Sequence, residues 1–172
     1  VVVPAEGWKP VREKMLEPAG IFALMWDSIF NPKKYYKTRM YVSAGKSFES
    51  TILAATAGEV VAGRSCIGCV SRFRPKMFVS GRQLLTLCPS SVFHATEFVP
   101  ILAKLIEMNV GGRGPLSRNA GSCLFLVEGV HSRVYVVAAH WSGGGRGKWM
   151  LSADTLDKEW GTSCEFYSRH CF

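Results

Sequence analysis

Nowhere in this sequence do about 18 apolar residues follow one another, the length a helix needs to cross a bilayer. No transmembrane helix is therefore expected. Acid is scarce: 13 Asp and Glu stand against 21 Lys and Arg, and the net charge is +8. The few carboxylates form no pair placed for general acid–base work. There is no Gly-x-Ser-x-Gly elbow. The stretch Asn119-Ala120-Gly121-Ser122-Cys123 has only a superficial likeness to a loop presenting a protease nucleophile, and no glycine follows Cys123. Bases for such a nucleophile (His94, His131, His140) and orienting acids (Asp154, Asp157) can be assembled by chance in almost any chain, so no enzyme is expected. The run SGGGRGKW (142–149) lacks P-loop spacing and precedes a strand instead of a helix, which excludes nucleotide hydrolysis. Six cysteines are too few for a disulfide scaffold in a chain of 172 residues. Cys88 and Cys123 lie in apolar runs and read as core residues of a protein from a reducing, intracellular compartment.

A real core is present in the composition, with 48% hydrophobic and 20% charged residues. Residues 1–32 read as an N-terminal arm. Pro4, Pro10 and Pro18 keep its first part extended, and AGIFALMWDSIF (19–30) has the apolar spacing of a short helix that Asn31-Pro32 ends. Residues 33–172 read as a single basic domain. Strands are expected at 38–45, across 49–63 as a hairpin turning at Ala57-Gly58, at 65–73, and at 76–88 as a hairpin around Ser80-Gly81. A long helix follows at about 96–109. Phe98, Ile101, Leu102, Leu105 and Ile106 share one stripe, Thr96 is the expected N-cap, and Asn109 with the glycines after it is the stop. Strands then return at 122–129, 132–141 and 148–156, with 164–172 as a further strand or a tail. Strands, one helix and strands again, without β–α–β alternation, exclude Rossmann and barrel folds. The expected class is α+β: antiparallel sheet with one long packing helix and an N-terminal helical arm.

The basic excess points to a polyanionic partner because the charges cluster. One cluster is Lys33, Lys34, Lys37 and Arg39, another Arg64, Arg72, Arg74, Lys76 and Arg82, and a third contains Arg113, Arg118, Arg133, Arg146 and Lys148. Aromatic residues interleave with them: Tyr35, Tyr36, Phe73 and Trp149. Cations neutralise phosphates and rings stack on unpaired bases, so these residues (Arg133 apart) form the expected nucleic-acid-binding set. The glycines near Arg146 and Lys148 would let backbone N–H groups approach a phosphate.

Cys66 and Cys69 have the two-residue spacing with which two thiolates reach one zinc ion. A second ligand pair would have to come from Cys164 and His170 (or Cys171), about 100 residues away. Two free thiols and no cofactor is the reading adopted; zinc at Cys66, Cys69, Cys164 and His170 is the alternative.

The stretch GRQLLTLCPSSVFHATEFVPILAKLIEMN (81–109) resembles the last strand of a Pur-type repeat, a short linker and the helix that crosses the sheet. Residues 122–156 would supply strands of a second half. This order is similar to the fold shared by plant Whirly proteins, Pur-alpha repeats and mitochondrial guide-RNA-binding proteins. The resemblance implies single-stranded RNA or DNA bound along the sheet, often within an oligomer. The Lys-Gly-Lys-Ala-Ala-Leu stretch of the plant proteins and a second helix after the last strands are both missing. The first residue is Val, which fits loss of an organellar transit peptide and equally a sequence that is part of a longer chain; organelle import is the expectation taken. The expected protein is thus a non-catalytic RNA-binding subunit of an organellar ribonucleoprotein, such as a mitochondrial ribosome, with other subunits as partners. A small β-rich viral capsid protein and a structural accessory subunit of an organellar complex are the alternatives.

Overall fold

The computed structural model describes residues 15–24, 29–56, 60–61, 68–112, 114–143 and 146–169. Its strands are β1 (Leu16–Leu24), β2 (Ile29–Phe30), β3 (Val42–Ala44), β4 (Val60–Val61), β5 (Gly68–Pro75), β6 (Val79–Ser80), β7 (Phe93–His94), β8 (Cys123–Glu128), β9 (Val134–Trp141), β10 (Trp149–Asp154), β11 (Glu159–Trp160) and β12 (Glu165–Arg169). The helices are α1 (Pro32–Thr38), α2 (Lys46–Thr51), α3 (Gly81–Leu87) and α4 (Ala95–Met108). The main sheet has eight strands in the order β1-β5-β12-β8-β9-β10-β3, with β7 paired to the far part of β8. Two short pairs, β6/β11 and β2/β4, stand beside it.

The α+β expectation holds, but the sheet is mixed. β12/β8, β10/β3 and β7/β8 are parallel. The β7–α4–β8 run is a β–α–β unit that the sequence pattern does not announce, because β7 is only two residues long.

Alternation along β8 divides the interior into two cores. Cys123, Phe125 and Val127 point to a core shared with α1, α2 and α4. Leu124 and Leu126 point to a second core, with Leu84 and Leu87 of α3 and Trp160 of β11. Both faces of the central strands are therefore covered. That differs from a sheet with one face open for a nucleic acid to lie along.

Four local expectations are corrected. Residues 16–24 form β1, an antiparallel partner of β5, where a helix was expected from 19. Strand pairing along nine residues offsets the weak local preference of an unsupported arm helix. Asn31-Pro32 begins a helix instead of ending one: the Asn31 side chain accepts from Lys34 N at 3.0 Å and Pro32 sits at the first helical position. Residues 46–55 are α2 and a 3₁₀ turn in place of a hairpin arm, while the Ala57-Gly58 turn lies outside the described residues. Residues 81–87 are α3, where both the hairpin and the Pur-type resemblance put a strand. Ser80 and Gln83 form a capping box, with Gln83 N donating to Ser80 Oγ (3.2 Å) and Ser80 N to Gln83 Oε1 (2.9 Å).

Helix α4 has the expected stripe, every member of which is buried. Its N-cap is His94, not Thr96, and no side chain caps it. The β8–β9 hairpin, β10 and β12 fall within the expected segments. At the centre, the Phe125 ring meets Phe98 and Tyr167, each with centroids 5.1 Å away. Phe125→Ala should lower unfolding free energy by about 3–5 kcal/mol, measured by urea titration.

Candidate nucleic-acid interface

One end of the sheet, here the foot, is where Trp149 lies opposite both Trp141 and Val42. Two of the basic clusters meet there. Helix α1 buries Pro32, Tyr35 and Tyr36 and turns Lys33, Lys34 and Lys37 to solvent. The chain then makes a turn, Arg39–Val42, closed by Val42 N to Arg39 O at 3.3 Å. Trp149 N donates to Tyr41 O at 2.8 Å, which sets Lys148 beside that turn. The 142–148 loop is closed on itself: Ser142 N donates to Lys148 O, and Lys148 N to Ser142 Oγ, both at 2.9 Å. Residues more than 100 positions apart, Lys37 and Arg39 against Arg146 and Lys148, thus converge.

Their charges are unequally engaged. Arg39 lies 3.7 Å from Glu107 and over the Tyr35 ring at 5.4 Å. Among the described residues, no carboxylate lies within ion-pair distance of Lys33, Lys34, Lys37, Arg146 or Lys148. Arg118 belongs to the same end but is a strut. Its guanidinium covers Trp141 at 4.0 Å and donates to the carbonyls of Asn109 (2.9 Å) and Val110 (3.2 Å). Gly147 packs against the same indole so closely that a Cβ there would come within 2.4 Å of it.

The other expected site residues fall elsewhere. Tyr35, Tyr36 and Trp149 cannot stack on bases, because all three are buried in the core. Arg72 is half-buried and spent on Pro115 O and Ala19 O, both at 3.0 Å, and on Glu165 at 3.8 Å. Arg74 pairs with the same carboxylate at 3.4 Å. Phe73 is partly buried and packs near Phe166. Lys76 is exposed at the foot, but on the β5 side. Four strand spacings separate β5 from β10, roughly 19 Å. Arg82 sits at the opposite end of the sheet, paired with Asp157 at 2.8 Å. Arg64 and Arg113 lie outside the described residues, as do Cys66, His170 and the side chain of Cys69. Of the four alternative zinc ligands only the Cys164 side chain is described, as a buried free thiol.

Cys123 opens β8 in the interior. Burial pushes its thiol up to about 12, although Tyr167 and the Ser117 carbonyl act the other way. The protonated thiol is thereby favoured at neutral pH. Burial likewise raises Tyr35, Tyr36 and Tyr167.

The comparisons with protein-family models, with curated proteins and with solved structures find no match for this chain. Sequence reasoning missed Met40 and Trp141, although both lay next to the basic runs it did single out. Aromatic type alone drew attention to Tyr35, Tyr36 and Trp149. The apolar spacing that would have marked those rings as core depends on α1 and on β10, whose burial alternates along its length.

Two outcomes check this arrangement. Gly147→Ala must move either the loop or Trp141, and should cost about 1–3 kcal/mol with a change in tryptophan emission. Between the ordinary thiol value near 9 and about 12, the unfolded chain releases the Cys123 proton while the folded chain keeps it. Stability should therefore fall as pH rises above about 9, by up to about 1.4 kcal/mol per pH unit for this group alone, with the buried tyrosines acting in the same direction. Urea midpoints measured from neutral to alkaline pH read the trend.

Proposed function

We propose that this protein binds RNA without catalysing a reaction, as a subunit of an organellar ribonucleoprotein. The observation that carries the reading is the convergence of Lys37, Arg39, Arg146 and Lys148 at the foot of β10 and β3. Lys33 and Lys34 extend the same charged face along α1. Cations without carboxylate partners retain their attraction for phosphate, and binding releases the counterions condensed on the nucleic acid. The RNA backbone runs past the end of the sheet, since its central faces are filled by the two cores. Phosphate neutralisation supplies most of the affinity, and the buried rings contribute by holding the cations in place.

An organellar matrix and neighbouring protein subunits remain part of this proposal. The subunit reading is favoured by the exposed Phe78 and Met77 on the short connection between β5 and β6, which are suited to burial against another chain. Among the described residues, no helix is long and apolar enough to cross a membrane.

Fluorescence anisotropy with labelled RNA tests the reading. With three phosphate contacts, from Lys37, Arg146 and Lys148, log affinity should fall with log salt at a slope of about −2 for a single strand. Lys37→Glu, Arg146→Glu and Lys148→Glu should each weaken binding at low salt by roughly three- to tenfold and flatten that slope. Arg133→Glu changes the net charge equally at the opposite end and should leave affinity within about twofold. Absence of binding to any oligonucleotide at low salt would refute the proposal.

A further inference from the structure

Six large hydrophobic side chains are exposed among the described residues: Ile21, Met40, Met77, Phe78, Met108 and Val110. Three of them belong to the foot on its β3 side. Met40 is 85% exposed, at the first central position of the Arg39–Val42 turn. Met108 (41%) directly follows Glu107, the carboxylate that accepts from Tyr41 Oη at 2.6 Å and faces Arg39. Val110 (54%) follows the helix end and is tied to Arg118 through its carbonyl. Lys37, Arg39 and Lys148 lie at the same end of the sheet as Met40, on either side of the bond from Trp149 N to Tyr41 O. Neighbouring residues on both sides of Met40 are thus engaged in fixed contacts, while its own side chain projects into water.

We infer that Met40 is a base-contacting residue which makes this site prefer unpaired strands over duplex. The inference rests on the nucleic-acid reading above. Its physical basis is a mismatch of surfaces. A duplex shows an approaching protein mainly sugars and phosphates, with base faces stacked inside. An apolar side chain standing out between cations would then cover charged oxygens and hold the cations away from them. A single strand exposes base faces between successive phosphates, and every base offers a π-face. The thioether of methionine makes favourable contacts with aromatic rings, and its three rotatable bonds let it follow bases of different size. Tyr41 cannot serve in its place, because its hydroxyl is held by Glu107 and its ring packs on the core. The stacking role that composition assigns to Tyr35, Tyr36 and Trp149 thereby passes to a residue that is accessible. Charge complementarity to phosphate selects RNA as the occupant over an apolar protein segment.

The test compares a labelled strand of about 15 nucleotides with a fully paired duplex of the same length. Wild-type protein, Met40→Ser and Met40→Leu are titrated against both at low salt, with folding verified by circular dichroism. The expected result is tighter binding of the single strand by wild type. Met40→Ser should lose roughly two- to tenfold on the single strand, the range of sulfur–aromatic contacts, with duplex affinity unchanged. Met40→Leu should retain most of the preference. Equal affinity of wild type for both forms, or an equal loss on both with Met40→Ser, would overturn this inference and leave the nucleic-acid reading standing. Failure to bind either form would remove both. Binding of a poly-glutamate peptide as tightly as the single strand would overturn it in favour of an acidic protein partner.

Discussion

Tyr35, Tyr36 and Tyr41 each donate a hydroxyl hydrogen to α4, to Ala103 O at 3.3 Å, Val99 O at 2.7 Å and Glu107 Oε1 at 2.6 Å. These contacts fasten α1 and the turn after it along one side of the 14-residue helix α4. Two of them are buried, where an unmet hydroxyl or carbonyl costs more than the net gain of one bond, so the register of α1 on α4 is tightly constrained. Much else depends on that register. It turns the lysines of α1 outward, brings Arg39 to Glu107, and delivers the chain to β3 so that Tyr41 O can accept from Trp149 N. The basic end of the molecule follows from three tyrosines that themselves face inward.

The main sheet has little free surface near its middle. Adjacent residues of β8 enter opposite cores, and Phe125 and Leu126 are equally buried. A sheet filled on both sides leaves its ends for function, where loops start and side chains reach solvent. At the foot, glycine at 147 lets the loop lie against Trp141, and Arg118 stacks on the same ring while holding the carbonyls at the end of α4. The β9–β10 loop and the segment after α4 are thereby joined through one indole.

Charge follows a similar division between structure and surface. Arg72 and Arg74 share Glu165, Arg82 has Asp157, Arg169 has Glu97 and Lys158 has Asp154. A half-buried Arg72 would be costly without its carboxylate and carbonyl partners, so these groups serve the fold. The lysines of α1 and the pair Arg146 and Lys148 have no such partners among the described residues. A count of basic residues cannot separate the two sets, because a carboxylate that neutralises an arginine lies 93 positions away in one case, Arg72 and Glu165.

The amino-acid sequence by itself determined the features that rest on local periodicity. The stripe of Phe98, Ile101, Leu102, Leu105 and Ile106 specifies α4, and the alternation around Gly129 specifies the β8–β9 hairpin, since both patterns carry their own burial signal. It also put cations on both sides of what became the foot. Tertiary structure alone decided the rest. The stretch at 16–24 is a strand because β5 is there to pair with it, and local preference between helix and strand is weaker than such pairing. Tyr35 and Tyr36 are interior and Met40 is exterior because α1 docks on α4 and a turn follows it, and Trp149 is interior because β10 pairs between β9 and β3, long-range arrangements that no neighbouring residue encodes. Which arginines are already partnered was settled in the same way, by side chains that only folding brings within reach.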